Sequence, residues 1–148
     1  MAARKITGSA VCAALALGIL TGCSSTDSET ARQDGTSAAL ADPQSEEALK
    51  QAAHTLNVLA AQRNYTNAWA YYTKRCQDKI GSLEAYKSFM DLWLEDRHPQ
   101  YDRDGVSVRI TGTSAQVVTV DKDPAAPAHT DDPRTWTFTD NHWLFDNC

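Results

Sequence analysis

The hydrophobic positions of this chain change period near Pro99. Upstream, apolar residues recur every three to four positions, the spacing that lines them along one face of a helix. From Glu46 to about Arg63 the stripe is Leu49, Ala53, Leu56 and Leu59 or Ala60. Ser45 stands before it as an N-cap, and Glu46 and Glu47 complement the helix dipole. Asn64 and Tyr65 break the run. Thr66 is placed to cap a second helix, reaching about Cys76, with Trp69, Tyr72 and Cys76 on one face. Gly81 punctuates again, and Ser82 caps a third helix carrying Leu83, Tyr86, Phe89 or Met90, and Trp93. Pro99 has no N–H to donate and forbids its continuation.

Downstream the period is two. Val106, Val108 and Ile110 alternate with Ser107, Arg109 and Thr111 in a first predicted strand, and Gly112-Thr113 is a turn. Gln116 to Val120 makes a second strand, whose run of valines leaves its inward face open. Asp123 to Pro133 is a loop holding Pro124, Pro127 and Pro133. Trp136 and Phe138 alternate with threonines in a third strand, Asp140-Asn141 turns the chain, and Trp143 and Phe145 form a fourth. Three helices followed by an antiparallel meander predict an α+β domain, with helices packed on one face of a curved four-stranded sheet. The sequence holds no internal repeat.

The first 44 positions follow neither period. Arg4 and Lys5 precede an apolar stretch from Ile6 to Leu20, which closes on Leu20-Thr21-Gly22-Cys23. Thr7, Gly8, Ser9 and Gly18 interrupt the stretch, whereas a spanning helix needs about 18 or more continuous apolar residues. A secretory signal fits better than a membrane span. Its last four residues resemble a bacterial lipobox. That resemblance implies cleavage before Cys23, acylation of Cys23, and a lipid anchor holding the chain on the extracytoplasmic side of the cell membrane. Each buried methylene adds about 0.8 kcal/mol of membrane affinity, so several acyl chains make a lasting anchor. Ser24 to Gln44 is built mainly of Ser, Thr, Asp, Glu, Gly and Ala without an aromatic residue, the composition of a linker. As a flexible coil it reaches about 25 Å. The expected organisation is a signal peptide over 1–22, acylated cysteine and linker over 23–44, and a folded domain over 45–148.

The anchor changes the charge and cysteine counts. The chain carries 14 basic and 19 acidic residues, and loss of Arg4 and Lys5 takes the net charge from −5 to −7. Such acidity speaks against a nucleic-acid partner and against docking on anionic headgroups. Of four cysteines, Cys12 leaves with the signal and Cys23 takes the lipid, so Cys76 and Cys148 remain as a pair in an oxidising compartment, the setting of a disulfide. Neither belongs to a Cys-x-x-Cys pair or has a histidine close by in sequence.

Helices before a four-stranded meander, the stretch Trp69-Ala70-Tyr71-Tyr72-Thr73-Lys74-Arg75-Cys76 and the closing Asn141-His142-Trp143-Leu144-Phe145 together resemble small actinobacterial NTF2-like lipoproteins, of the SnoaL and ketosteroid-isomerase-like superfamily. The resemblance covers residues 46–148. It implies a cone with a cavity between sheet and helices; many NTF2-like domains dimerise through the sheet's open face, which makes a homodimer one alternative. It carries no activity, because this fold serves enzymes and binding domains alike.

An isomerase-type site would need a carboxylate facing a hydroxyl inside an apolar cavity. The acids on the relevant elements are Asp91, Glu95 and Asp96, and the hydroxyls are Tyr71, Tyr72 and Tyr86. Asp91 falls off the apolar stripe toward water, Glu95 and Asp96 end a helix, and no predicted strand sets an acid between inward apolar residues. No catalytic residue is therefore assigned. His54, His98, His129 and His142 are scattered without metal-ligand spacing. Asp102-Arg103-Asp104-Gly105 lacks the spaced acids and twelfth-position Glu of a calcium loop and reads as a turn. Asn64-Tyr65-Thr66 matches a glycosylation sequon, which a bacterial signal makes irrelevant. No metal and no cofactor is expected.

The aromatic residues Trp69, Tyr72, Tyr86, Phe89, Trp93, Trp136 and Phe138 sit at inward periods, and fill a core or line a pocket. The expected function is non-catalytic: an envelope lipoprotein domain that binds a partner protein or a small apolar ligand. The alternatives are a small isomerase- or hydrolase-type enzyme using the cavity, and a dimerising structural subunit of the envelope.

Overall fold

The structure, a computed structural model, describes residues 42–148. The expected signal peptide, Cys23 and nearly all of the linker lie outside the described residues. Among the described residues no helix is long and apolar enough to cross a membrane. Four helices, α1 (Glu46–Ala61), α2 (Tyr65–Trp69), α3 (Lys74–Ile80) and α4 (Leu83–Trp93), precede four strands, β1 (Tyr101–Thr111), β2 (Ser114–Asp121), β3 (Arg134–Thr139) and β4 (His142–Phe145). The strands form one antiparallel sheet in the order β1-β2-β3-β4.

Helix α1 follows its periodicity. The Ser45 side chain accepts from the Ala48 N–H, satisfying one of the amides left free at a helix start, and Leu49, Ala53 and Leu56 are buried. The second predicted helix does not run through to Cys76. It breaks at residues 70–73, and Thr66 lies inside α2 rather than at its cap. The backbone there has another partner: the Phe145 N–H donates to the Tyr71 carbonyl at 2.7 Å, and the Thr73 N–H donates to the Phe145 carbonyl at 3.0 Å. Tyr72 thereby pairs with Phe145 as a parallel bridge on the free side of β4. The Thr73 hydroxyl then caps α3 by accepting from the Cys76 N–H at 3.3 Å. Cys76 accordingly sits near the start of a helix, not at the end of one. In α4, Ser82 accepts from the Ala85 N–H, and Tyr86 and Met90, four positions apart, face inward. Phe89 does not join them; it is 62 % exposed.

Strand β1 begins five residues before the expected Val106. Tyr101 opposes Asp121 while Val106 opposes Thr119, so residues 102–105 bulge out of the ladder. Asp102-Arg103-Asp104-Gly105 is this bulge. A Cβ on Gly105 would meet the Asp102 carbonyl oxygen at 3.2 Å, so a side chain there would have to push that carbonyl aside by a few tenths of an ångström. The hairpin between β3 and β4 closes on Asp140 and Asn141, at φ 49° and 65°, the two left-handed residues a two-residue hairpin demands.

Register decides which face each strand buries. Ile110, Ala115, Trp136 and Phe145 form one rung across all four strands, and Val108, Val117 and Arg134 form the next. Within the valine run of β2, Val117 turns in, and Val120 is 42 % exposed. The opposite face carries Ser107, Arg109, Gln116, Thr135 and Thr137, with Val118 and Leu144 among them. Helix α1 crosses the inward face, and its Leu49, Ala53 and Leu56 join Tyr86, Met90, Leu94, Val117, Trp136 and Trp143 in one core. Cys76 and Cys148 lie at disulfide distance, with Cα atoms 5.5 Å apart, and Cys76 is fully buried.

Candidate functional site

The helices do not fill the inward face. A cavity of about 800 Å³ remains between α1, α4 and the β2–β3 half of the sheet. Leu56, Asn57 and Ala60 come from α1, Tyr86, Phe89, Met90 and Trp93 from α4, and Val117, Thr119, Arg134 and Trp136 from the sheet. Tyr72 and Phe145 close one end, and residues 127–130 border the mouth with Lys79, Asp132 and Asn147. The volume suits one small molecule.

Of the seven aromatic residues singled out by periodicity, Tyr72, Tyr86, Phe89, Trp93 and Trp136 line this cavity. Trp69 stands behind the wall, stacked on Tyr72 with ring centroids 5.8 Å apart and 5.3 Å from Tyr86. Phe138 is drawn away to pack on Trp143 at 5.2 Å. The wall itself is continuous: Tyr86 meets Tyr72 at 5.1 Å, Tyr72 meets Phe145 at 4.9 Å, and Phe145 meets Trp136 edge-on at 5.8 Å. Phe145 belongs to the wall although its alternation with Trp143 marks it only as a strand residue.

Tyr86 is 2 % exposed, and its hydroxyl makes no hydrogen bond with any described group. It faces Tyr72 without reaching hydrogen-bond geometry. Burial first, and then the nearby Tyr72, push its pKa far above that of an ordinary tyrosine, and burial raises Tyr72 as well. Both therefore stay protonated and can only serve as neutral donors or acceptors. A buried hydroxyl without a partner costs about 1–3 kcal/mol, and a ligand atom that accepts from it recovers that cost.

The acids named from sequence do not enter the cavity. Asp91 accepts from the Tyr65 hydroxyl at 2.6 Å and from Arg63 Nη1 at 2.5 Å. The Tyr65 hydrogen bond first, and Arg63 with it, hold its pKa below the usual carboxylate range. Glu95 and Asp96 are exposed past the end of α4, and Tyr71 is not among the cavity residues. Asp132 is the one acidic side chain among the described lining residues; it is exposed, with its Oδ2 3.3 Å from His129 Nδ1. His54 leaves a buried Nδ1 without a partner, His98 is exposed, and His142 Nδ1 lies 2.6 Å from the Asp140 carbonyl oxygen. Among the described residues no three His, Cys, Asp or Glu side chains come together as a metal site.

Two buried acids escape the periodicity because they end β2 and open the proline-rich loop. Arg97 pairs with Asp121 and lies 3.6 Å from Asp123, their side chains 7 %, 0 % and 4 % exposed. The Arg97 guanidinium lies over the Trp93 ring, 3.7 Å from its centre, so a residue lining the cavity also carries a cation on its ring. Asp123 accepts from the Ala125 and His98 N–H groups at 2.9 and 2.8 Å, and these bonds, Ala125 first, depress its pKa. Burial and then Asp121 push the Tyr101 hydroxyl upward at the same wall. The cluster fixes the loop beside the cavity mouth. Its signal in the sequence is Asp121, two positions beyond Thr119 and four beyond the inward Val117: an acid on an inward register calls for a buried cation.

Compared with models of known protein families, with curated proteins and with solved structures, the chain matches none.

Proposed function

We propose that this chain is an envelope lipoprotein whose domain, an NTF2-like cone, holds a small, largely apolar ligand without transforming it. The Tyr86 hydroxyl carries the case: it is buried, unpartnered and protonated beside an aromatic-lined cavity of about 800 Å³. A cavity walled by rings rewards apolar surface, and one unsatisfied donor fixes orientation. The helices-before-meander order and the cavity between the two layers support the cone. Arg4, Lys5, the apolar stretch and Leu20-Thr21-Gly22-Cys23 support the anchor at Cys23 and an extracytoplasmic location. The 5.5 Å Cα separation supports a Cys76–Cys148 disulfide in that compartment. An isomerase- or hydrolase-type enzyme would want a buried acid where the lining has rings. A structural dimer would want an apolar outer sheet face where this one carries Ser107, Arg109, Gln116, Thr135 and Thr137.

Native mass spectrometry of the full chain, taken from its host envelope without detergent exchange, tests this proposal. Bound mass that leaves on denaturation, and is missing from an Ala60→Phe variant that fills the cavity, is the expected result. A bare chain that also takes up no apolar probe overturns it. Phe89 and Leu92, 62 % and 72 % exposed on α4, favour a second reading in which an envelope protein docks beside the mouth. Cross-links in intact envelopes that vanish in a Phe89→Ser, Leu92→Ser double variant would establish that partner.

A further inference from the structure

Among the described residues, the inward face of the sheet carries one cation, Arg134. Arg134 opens β3 and shares a rung with Val108 and Val117, two positions before the buried Trp136. Its side chain lines the cavity. Arg134 Nη2 donates to the His129 carbonyl at 3.1 Å, and no carboxylate of the described residues pairs with it. Asp132, the nearest acid in sequence that also lines the cavity, is turned to the His129 ring instead. The contrast with Arg97 is informative: the fold gives that guanidinium two acids, and gives Arg134 none. Two of its nitrogens thus remain without a described hydrogen-bond partner, at a lining where rings and aliphatic groups predominate and the one acid, Asp132, is turned away. A guanidinium presents a planar fork that matches an oxyanion.

Resting on the ligand-binding function proposed above, we infer that the ligand is an amphiphile with an anionic head. Its carboxylate or phosphate accepts from Arg134, and its apolar body lies against Tyr86, Met90 and Trp136. Asn147, whose Oδ1 accepts from the Thr135 N–H at 3.2 Å, keeps its side-chain NH2 at the same lining as a second donor. Lys79 stands farther out, donating to the Cys148 carbonyl at 2.7 Å. Charge-assisted hydrogen bonds at a half-buried site favour the anionic head over an uncharged one by about tenfold or more.

Titration of the full chain with dodecanoate and with dodecan-1-ol, followed by tryptophan fluorescence, separates head from body. The expected result is at least about tenfold tighter binding of dodecanoate. An Arg134→Gln variant should lose that preference while binding dodecan-1-ol as before, which also shows that it is folded. An Arg134→Lys variant should keep part of it. Equal affinity for the two probes in the parent chain, or a preference that survives Arg134→Gln, overturns the anionic head and leaves the apolar pocket standing. Failure of both probes to bind the parent chain overturns the pocket, and the anionic head with it.

Discussion

The Thr73 hydroxyl donates to the Asp146 carboxylate at 2.6 Å across 73 positions of chain. The same hydroxyl accepts from the Cys76 N–H, so one side chain both caps α3 and holds the far end of the domain. Asp146 also accepts from the Thr137 hydroxyl at 3.1 Å and from Arg75 Nε at 3.1 Å. Helix α3, strand β3 and the C-terminal segment meet at this one carboxylate.

Asp146 should therefore make stability depend on acid. Burial works against its charge, but the hydrogen bonds from Thr73, Thr137 and Arg75 outweigh that and lower its pKa. A folded-state pKa below the unfolded one means that the unfolded chain binds the proton first as pH falls. The stabilisation is present above about pH 4 and fades as pH drops through the depressed value. Asp146→Asn should cost about 1–2 kcal/mol at pH 7, and its urea midpoint should fall less steeply below pH 4 than that of the parent chain. Equal acid dependence of the two would show that Asp146 is not the responsible group.

Closing Cys76 to Cys148 as a disulfide joins positions 72 apart. In the chain-entropy account such a loop adds about 4 kcal/mol by constraining the unfolded chain. A Cys76→Ser, Cys148→Ser double variant should melt well below the oxidised parent. Because Cys76 is fully buried, reductant should act slowly on the folded protein and quickly in urea. Thiol trapping with and without urea measures the difference.

Tyr86→Phe should separate stability from binding. It removes an unpartnered buried hydroxyl while keeping the ring against Tyr65, Trp69 and Tyr72. The unliganded protein should be as stable as the parent or more so by up to about 1 kcal/mol, while any ligand that accepts from the hydroxyl binds more weakly. Parallel urea titrations with and without bound ligand test both halves.

Arg97→Ala should be among the costliest single changes. It strands Asp121 and Asp123 in a buried setting and removes the cation over Trp93. Breaking a buried ion pair from one side costs about 3–5 kcal/mol. Arg97→Lys should recover only part of it, since a single ammonium cannot span both acids and stack on the ring. Equilibrium unfolding at pH 7 gives both values.

Period alone exposes much of this fold. The stripe of Leu49, Ala53 and Leu56, the alternation of Val106, Val108 and Ile110, and the Asp140-Asn141 turn each depend on neighbours a few positions away, and each stands where its pattern puts it. What local pattern cannot show depends on partners far along the chain. Residues 70–73 have helical spacing, but Phe145 takes their backbone. Phe89 and Met90 share a stripe, and only the sheet beneath decides that Met90 is buried. Arg97 becomes a core residue because Asp121 and Asp123 wait for it more than 20 positions on. The aromatic wall was half visible, as inward periods; the cation among the rings, Arg134, becomes visible only when register sets it beside Val117.

The pairing of Phe145 with Tyr71 and Thr73 has a further consequence. Sheets grow where a border strand offers a row of free amides to another chain. Here the β4 border is already taken by the chain's own α2–α3 connection. The β1 border is bent by its bulge and carries Asp102, Arg103 and Asp104, all exposed. Copies brought together thus meet blunted edges, and can jostle at high density without zippering into fibres.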